Sequence, residues 1–303
     1  MSGISTNRSN ITLPGAVSSD IIQKAQEGSA VMRLARRVDL PGRGITIPVI
    51  TGDPEASWVA ETGKKPTSNP SMDTKIMTPY KLAVIVPFSD EFARDYEALY
   101  GALRERIPGA LAKKFDQTVF HGSAPGTGFD VLTGCTAQTI STNGIYKALV
   151  AADLDIAVHD GDINGYALTP QARGELLNAL DDNKRPIFIN SVAEGDIPRV
   201  LGQPVYYSRG LYFAGNATSG ESGQSGYLPA APDVIGFAGD WTKAMYGTVE
   251  GVKIDISNQA TLTIDDTPVN LWEHNMFAVK AEIEVGFIAD TSVINKIVRN
   301  HAA

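Results

Sequence analysis

A long polar connection between two strand patterns limits most strongly what this chain can fold into. Residues 43–50 (RGITIPVI) and 81–89 (KLAVIVPFS) are apolar strand patterns, whereas residues 51–73 are rich in Gly, Pro, Ser, Asn and Asp. So few apolar side chains cannot form a core, and the prolines disfavour pairing as a central strand. The pattern predicts one long β-hairpin over residues 43–89, which is only marginally stable in water unless something else holds it.

The N-terminal region and the composition exclude several other classes of protein. Residues 1–15 are polar and predict an arm without a core of its own, followed by a short helix that ends at Gly28. The chain lacks a secretory signal pattern and any run of roughly 18 apolar residues, so we expect no membrane span. Cys135 is the single cysteine of 303 residues, which fits a reducing compartment. These features predict a soluble product of the cytoplasm.

The strongest helical pattern begins near Ser89. Its apolar side chains recur every three or four residues, which predicts a helix of about 30 residues, roughly 45 Å long. The pattern continues past Pro108, where we expect a kink or a short break between two helical pieces that share one face. The apolar stripe consists of Phe92, Tyr96, Leu99, Leu103, Ile107, Leu111, Phe115 and Val119.

Two further regions complete an α+β fold class. Residues 145–235 combine short strands with helical patterns over 145–158 and after Thr169-Pro170, and they predict a compact α+β subdomain. Strict alternation from Phe277 to Phe287 predicts a strand about twice the usual length. One face of that strand is apolar and is expected to lie under the long helix, while its other face carries charge.

Enzymatic and metal-binding patterns are weak. Asp160-Gly-Asp162-Ile-Asn164 has the spacing of a calcium loop, but the twelfth position is Gln171, which is neutral and a poor ligand. A turn between a helix and a strand explains the same residues. The four histidines form no recognisable metal or triad pattern, and Cys135 beside a loop glycine favours an incidental thiol. We therefore predict no catalytic site, no cofactor and no metal.

Basic residues flank the predicted hairpin. Arg33, Arg36, Arg37 and Arg43 lead into it, and Lys64 and Lys65 lie near its tip. A solvated surface accounts for such charges, but the acidic groups on the long helix and the last strand also make charge pairing between copies plausible. An arm and a hairpin that cannot stabilise themselves favour a subunit whose stability comes from neighbouring copies.

Several segments, taken in order, resemble the major capsid proteins of tailed bacteriophages, the family with the HK-97-type fold. The resemblance extends from about Leu13 to Val298. Each segment alone is a weak match to the family, whereas all of them in this order make the resemblance specific. The segments are LPGAVSSDIIQKAQEGSAVMRLARRV (13–38), ASWVAE (56–61), KLAVIVPFSDEFARD (81–95), FDQTVFHGSAPGTG (115–128), LGQPVYYS (201–208) and IGFAGDWTKAMYGTVEGVKIDIS (235–257).

The resemblance implies a shell subunit with four parts. Residues 1–42 would be an N-terminal arm, and residues 43–82 an extended hairpin loop that reaches over a neighbouring subunit. Residues 83–133 and 237–303 would form a peripheral domain with a long spine helix on long β-strands, and residues 134–236 an axial α+β domain. The inter-subunit contacts expected on this basis are Trp58, Glu61, Lys64, Lys65, Arg33, Arg36 and Arg37.

The implied function is that of a major capsid protein in the virion. Its copies would assemble in the host cytoplasm into pentamers and hexamers of an icosahedral shell around double-stranded DNA. A net charge of −8 suits a shell that confines DNA without binding it tightly or reading its sequence. A portal and a decoration protein are implied as further partners.

Two departures from the family pattern limit what is implied. The chain begins at Met1 directly with the arm, so we expect a separate scaffolding protein or a chain already shortened. Some relatives cross-link a hairpin lysine to a neighbour's asparagine. Lys64 or Lys65 lies in that region, but no motif fixes the asparagine or a catalytic glutamate, and a surface lysine pair is the simpler interpretation.

Two alternatives stay open from the sequence. One is the shell protein of a bacterial encapsulin-like nanocompartment, which has a similar fold and encloses an enzyme in place of a genome. The other is a soluble enzyme or calcium-binding domain built on the turn at residues 160–171.

Overall fold

The structure is a computed structural model with an α+β fold. It describes residues 23–50, 58–59, 65, 67, 72–91, 96–140, 144–181, 183–188, 199–216, 231–249, 251–264 and 266–300. Most of the predicted N-terminal arm, together with Glu61 and Lys64, lies outside these residues. No helix in the described ranges is long and apolar enough to span a membrane.

Strands dominate the two ends of the chain, helices alternate with strands in its middle, and residues 23–28 are also helical. In chain order the named elements are α1 (Ala30–Leu34), β1 (Arg36–Asp39), β2 (Ile45–Ile50), β3 (Met72–Met77), β4 (Tyr80–Ser89), α2 (Tyr96–His121), β5 (Thr136–Ile140), α3 (Ile145–Val158), β6 (Gly165–Leu168), α4 (Pro170–Leu177), β7 (Arg199–Val200), β8 (Gln203–Tyr207), β9 (Asp233–Gly239), β10 (Ala244–Thr248), β11 (Lys253–Ser257), β12 (Thr261–Ile264), β13 (Thr267–Asn270), β14 (Met276–Ala289) and β15 (Ile294–Arg299).

The first sheet is built around β14, the long strand predicted from the alternating pattern. β4 pairs antiparallel along one edge of β14, from Met276 opposite Ser89 to Val285 opposite Tyr80. β11 and then β10 pair with the other edge, and β1 adds a parallel edge strand beside β10. The odd-numbered residues of β14 from 277 to 287 are buried, which confirms the predicted apolar face.

The long helix α2 packs on that apolar face. It runs without interruption for 26 residues, roughly 39 Å, so the short break that was one of the two expectations at Pro108 is wrong. Ile107 and Leu111 are buried on either side of Pro108, and their packing compensates for the hydrogen bond that proline cannot make. Phe115 meets Phe287 of β14 edge to face, with 6.5 Å between ring centroids.

The second sheet has six strands in the order β5-β15-β9-β6-β8-β7. Helices cover both of its faces. Phe237 of β9 packs against Phe120 of α2, with 4.9 Å between ring centroids. Asn295 of β15, which points to the opposite face, donates a hydrogen bond to Asp155 of α3 over 2.8 Å. The helix α3 therefore lies on the face of the sheet that α2 does not cover.

The division of the chain into an axial and a peripheral domain stays a prediction. The sheet pairing departs from the predicted division at one place, the last strand of the chain. β15 lies between β5 and β9 in the six-stranded sheet. Residues 294–299 therefore share a sheet with β6 and β8 of the predicted axial region rather than with β14. The sequence pattern shows only that β15 is apolar, and an apolar strand gives no indication of which sheet it joins.

The predicted hairpin exists, but its second strand was assigned wrongly. β2 pairs with β3, from Ile45 opposite Met77 to Ile50 opposite Met72, whereas residues 81–89 belong to β4 and pair with β14. The reason is burial: Leu82, Val84 and Phe88 of β4 pack against the main core. The segment MDTKIM of β3 has a polar centre, which hid it within the long connection.

Asp116 connects three segments of the fold from a fully buried position on α2. Its carboxylate accepts hydrogen bonds from the hydroxyl groups of Ser29 (2.5 Å) and Ser208 (2.6 Å). It also accepts bonds from the backbone N–H groups of Ala30 (3.0 Å) and Val31 (3.4 Å), in the first turn of α1. One carboxylate therefore holds α1 and the loop after β8 against α2.

Replacing Asp116 by Ala should lower the free energy of unfolding by about 3 kcal/mol, because it leaves two hydroxyl and two N–H groups buried without their acceptor. Chemical denaturation of the variant measures the change. Asp39→Ala is the matched control, since its exposed carboxylate pairs with Arg37 alone among the described residues and its loss should cost less than about 0.5 kcal/mol. Equal effects of the two substitutions would contradict the role of Asp116.

The pH dependence of stability gives a second test of Asp116. Burial raises the pKa of this carboxyl above its ordinary value of 3.8, against the opposing effect of its hydrogen bonds. A raised pKa in the folded state adds stability as pH falls through it, and this gain is complete below 3.8. The stability of wild type relative to Asp116→Asn should therefore increase on acidification. A relative stability that decreases would show that the folded-state pKa is lowered.

Candidate inter-subunit surfaces

The base of the β2–β3 hairpin is anchored in a buried notch. Met77 is fully buried and packs with Leu40 and Ile288. Gly247 and Gly286 pair directly across β10 and β14 and form the floor of this notch. A Cβ atom on Gly247 would lie 2.4 Å from Leu40 and 3.0 Å from the Met77 sulfur, so any larger residue would displace them.

Polar contacts also hold the base of the hairpin. The Lys75 ammonium donates to Asp130 Oδ2 over 3.0 Å and to the carbonyl of Ala289 over 2.8 Å. Asp130 also accepts a hydrogen bond from the Ala289 N–H over 3.1 Å, and the Thr78 N–H donates to the carbonyl of Gly128 over 2.9 Å. The hairpin is thus fixed at the C-terminal end of β3, beside the C-terminal end of β14.

The outer part of the connection makes few contacts where the structure describes it. The Trp58 side chain is fully exposed, at 105% of its reference area, and Lys65 is exposed as well. Trp is a large apolar side chain, and a monomer gains nothing by leaving it in water. The predicted contacts Glu61 and Lys64 lie outside the described residues, so the role of this loop in assembly stays a prediction.

The predicted arginine cluster does not form one site. The Arg33 guanidinium stacks on the ring of Tyr206, with 4.6 Å from Cζ to the ring centroid. Arg36 lies 3.0 Å from the sulfur of a methionine on β10, and Arg37 pairs with Asp39 over 3.2 Å. All three side chains are exposed. Their contacts within the chain account for their positions, and contacts with neighbouring copies stay a prediction.

An open charged face lies on the first sheet, opposite α2. Lys280 of β14 contacts Glu282 over 2.9 Å and Asp255 of β11 over 3.2 Å, while Lys81 of β4 contacts Glu284 over 3.4 Å. Hydrogen bonds to Glu282 and then to Asp255 raise the pKa of Lys280, and the bond to Lys280 lowers the pKa of Glu282. This confirms the predicted charged face of the long strand.

The suspected calcium loop has a structural role. Asn164 accepts a hydrogen bond from the Trp241 N–H and donates one to Asp240, both over 3.0 Å. Thr169 caps α4 by accepting a bond from the N–H of Ala172 over 3.1 Å. Within the part of the chain that the structure describes, no group of three or more His, Cys, Asp or Glu residues is placed to hold a metal ion.

Burial raises the pKa of Cys135 to about 12, so its thiol is a poor nucleophile.

Two short crossovers between the sheets were not predicted from the sequence. The chain passes from β9 to β10 through Asp240 and from β14 to β15 through Asp290, each followed by one turn of 3-10 helix. The turns bond to each other, since the Asp240 N–H donates to Val293 (3.0 Å) and the Asp290 N–H to Lys243 (3.2 Å). The sequence Gly-Phe-x-x-Asp leads into both crossovers (236–240 and 286–290), and this repeated pattern could have indicated them from the sequence.

Each crossover aspartate caps its own turn. Asp240 accepts from the N–H of Thr242 over 3.0 Å, and Asp290 accepts from the N–H of Ser292 over 3.1 Å. Burial acts to raise the pKa of Asp290, but hydrogen bonds from Ser292 and the nearby Lys243 outweigh it, and the net pKa is lowered. The ionised carboxylate is therefore the favoured form, as expected for a cap at a helix start.

Comparison with known proteins agrees with this architecture. The model of the Phage capsid family matches residues 9–289. Probable major capsid protein gp17 of Mycobacterium phage D29 is 30% identical over 281 residues, covering 88% of this chain and 83% of that protein. The major capsid protein of Staphylococcus phage 80alpha is 27% identical over 303 residues, covering 95% and 85%.

Solved structures share the fold at low sequence identity. A chain from Microbacterium phage Oxtober96 has a TM-score of 0.69 at 22% identity, covering 90% of this chain and 91% of that one. A chain from the capsid of an empty GTA particle has a TM-score of 0.62 at 14% identity, covering 90% and 97%.

The matches along almost the whole chain define a structural protein of virus shells, a class that is not enzymatic. The chain belongs to the Phage capsid family. The predicted function, a major capsid protein of a tailed phage and a component of the virion, is thereby confirmed. The encapsulin-like alternative is not favoured, because these similar proteins are capsid proteins of phages and of a GTA particle.

Replacing Lys75 by Met should loosen the hairpin without unfolding the subunit. The pair with Asp130 is partly exposed, so its loss should cost at most about 1 kcal/mol of global stability. Local opening should raise hydrogen exchange at the Thr78 amide, measured by mass spectrometry. Lys81→Met, which removes another exposed ion pair, is the control and should leave that amide unchanged. Unchanged exchange in Lys75→Met would contradict the anchoring role.

Proposed function

We propose that copies of this chain form pentamers and hexamers of a closed icosahedral shell with the HK-97-type arrangement, and that the shell encloses double-stranded DNA. The β2–β3 hairpin serves as the extended loop over a neighbouring subunit, and α2 serves as the spine of the peripheral domain. The charge of −8 supports enclosure of DNA without tight or sequence-specific binding. The chain acts as a structural subunit and catalyses no reaction.

One observation carries this proposal. The hairpin is firmly anchored at its base by Met77 and Lys75, yet Trp58 beyond it is fully exposed. A two-stranded arm is marginal by itself, so an arm held in a fixed direction needs a partner surface at its far end. A neighbouring copy supplies that surface in a shell, where every subunit both gives and receives the same contact.

The proposal includes partners outside the shell itself. A separate scaffolding protein directs curvature during assembly in the bacterial cytoplasm, a portal occupies one vertex, and decoration proteins bind the finished shell. Electron microscopy of the protein expressed alone and with candidate scaffolding proteins tests this part. Closed polyhedral particles or capsomer rings support the proposal, and a monomer at every concentration and salt overturns it.

Truncation of the hairpin tests the role of its outer part. Ile50 pairs directly with Met72, so replacing residues 51–71 by an Asn-Gly turn should keep β2 and β3 paired. The truncated protein should fold, with wild-type circular dichroism and thermal unfolding, and should form no particles. A variant that keeps residues 51–71 at their natural length but in scrambled order separates the chemistry of the loop from its length. This control should also form no particles. Normal particles from the truncated protein would refute the assigned role.

A further inference from the structure

The helix α3 carries apolar side chains on both faces. Its inner face packs on the second sheet through buried residues. Its outer face presents Tyr146, Val150, Leu154 and Val158 at intervals of four residues, which align on one side of a helix. Leu154 is 65% exposed and Val158 is 79% exposed. The outer face of a surface helix is normally polar, so this apolar outer face (the α3 stripe) indicates a contact surface.

A second exposed apolar residue lies at the opposite end of the same sheet. The turn between β7 and β8 consists of Leu201 and Gly202, both with positive φ, at 49° and 84°. Leu is unfavourable in this conformation, where Gly or Asn is usual, and its side chain is 45% exposed. The turn thus holds a leucine at its tip at a cost to the folded monomer.

The charges beside the two surfaces can pair between copies. Exposed Asp153 and Asp160 lie beside the α3 stripe, where Lys147 is also exposed, and exposed Arg199 lies two residues before Leu201. The helix α3 covers β5, β15 and β9, while β7 is the last strand at the other edge of this sheet. Six strands place the two edges roughly 24 Å apart. Complementary surfaces at opposite ends of one unit suit a head-to-tail contact, which closes into a ring.

We infer that the α3 stripe of one subunit receives the β7–β8 turn of the next subunit around a capsomer ring, with Leu201 seated against Leu154 and Val158. The occupant is a second copy of this chain. This inference rests on the proposed assembly into rings and names the surfaces that close them. Desolvated leucines form the centre of the contact, and the Asp and Arg side chains form its rim.

Cross-linking tests the contact directly in assembled wild-type-like particles. Particles carrying both Val158→Cys and Leu201→Cys, oxidised with copper phenanthroline, should give a ladder of bands up to five or six subunits on a non-reducing denaturing gel. Each single variant should stay monomeric, and the buried Cys135 should not react. Particles that give no ladder would overturn the inference. Dimers from Val158→Cys alone would also overturn it, since they would show helix-to-helix pairing.

Charge substitution supplies a second readout and separates this inference from the proposed function. Leu154→Glu should lower particle yield by roughly tenfold or more, and Leu201→Arg in the same chain should partly restore it. Leu180→Glu is the control, because Leu180 is 51% exposed and belongs neither to the α3 stripe nor to the β7–β8 turn, and its yield should stay within about twofold of wild type.

The outcomes of these variants are distinct from one another. Circular dichroism shows that each variant folds. Failure of the wild type itself to assemble would count against the proposed function. Normal assembly of Leu154→Glu, or an equal loss from Leu180→Glu, would overturn the inferred contact while leaving the proposed function intact.

Discussion

The arrangement of the whole subunit depends on the two crossovers that pass the chain between its sheets. β9 continues as β10 and β14 continues as β15, so each sheet contributes one strand to each crossover. The crossovers bond to each other through the N–H groups of Asp240 and Asp290. Because both connections are short and mutually bonded, the two sheets cannot turn independently without breaking these hydrogen bonds. The directions of all surfaces on the subunit follow from this junction.

Two other anchors fix peripheral parts of the chain to that frame. Asp116 holds α1 and the loop after β8 to the long helix, and the glycine notch on β10 and β14 receives Met77. Both anchors place the ends of segments that lack a core of their own. A shell subunit needs this property, since a contact with a neighbour is useful only when its direction is fixed in advance.

Sequence patterns predicted the elements whose periodicity is long and regular. The helix α2 and the strand β14 have apolar faces that repeat over many residues, and both were located correctly. β3 was missed because its centre, Thr74-Lys75, is polar and follows a loop of similar composition. The sheet to which β15 belongs was not predictable, since pairing between distant strands depends on the crossovers and not on local pattern.

The candidate surfaces show the same limit. Trp58 was named from the sequence as an inter-subunit contact implied by the family resemblance, whereas the notch at Gly247 and Gly286 depends on side chains brought together from distant parts of the chain. The α3 stripe was also overlooked. Its sequence predicts a helix, but only the packed structure distinguishes the face that meets the sheet from the one that stays exposed.

The hairpin is anchored in its own subunit, and the central claim is that it makes its outer contacts with a neighbour. A cryo-electron microscopy reconstruction of assembled particles, at a resolution that traces side chains, measures this directly. We predict density for residues 51–71 lying on an adjacent subunit, with Trp58 covered there. Density for these residues packed against their own subunit, with Trp58 in contact with its own sheets, would contradict the claim.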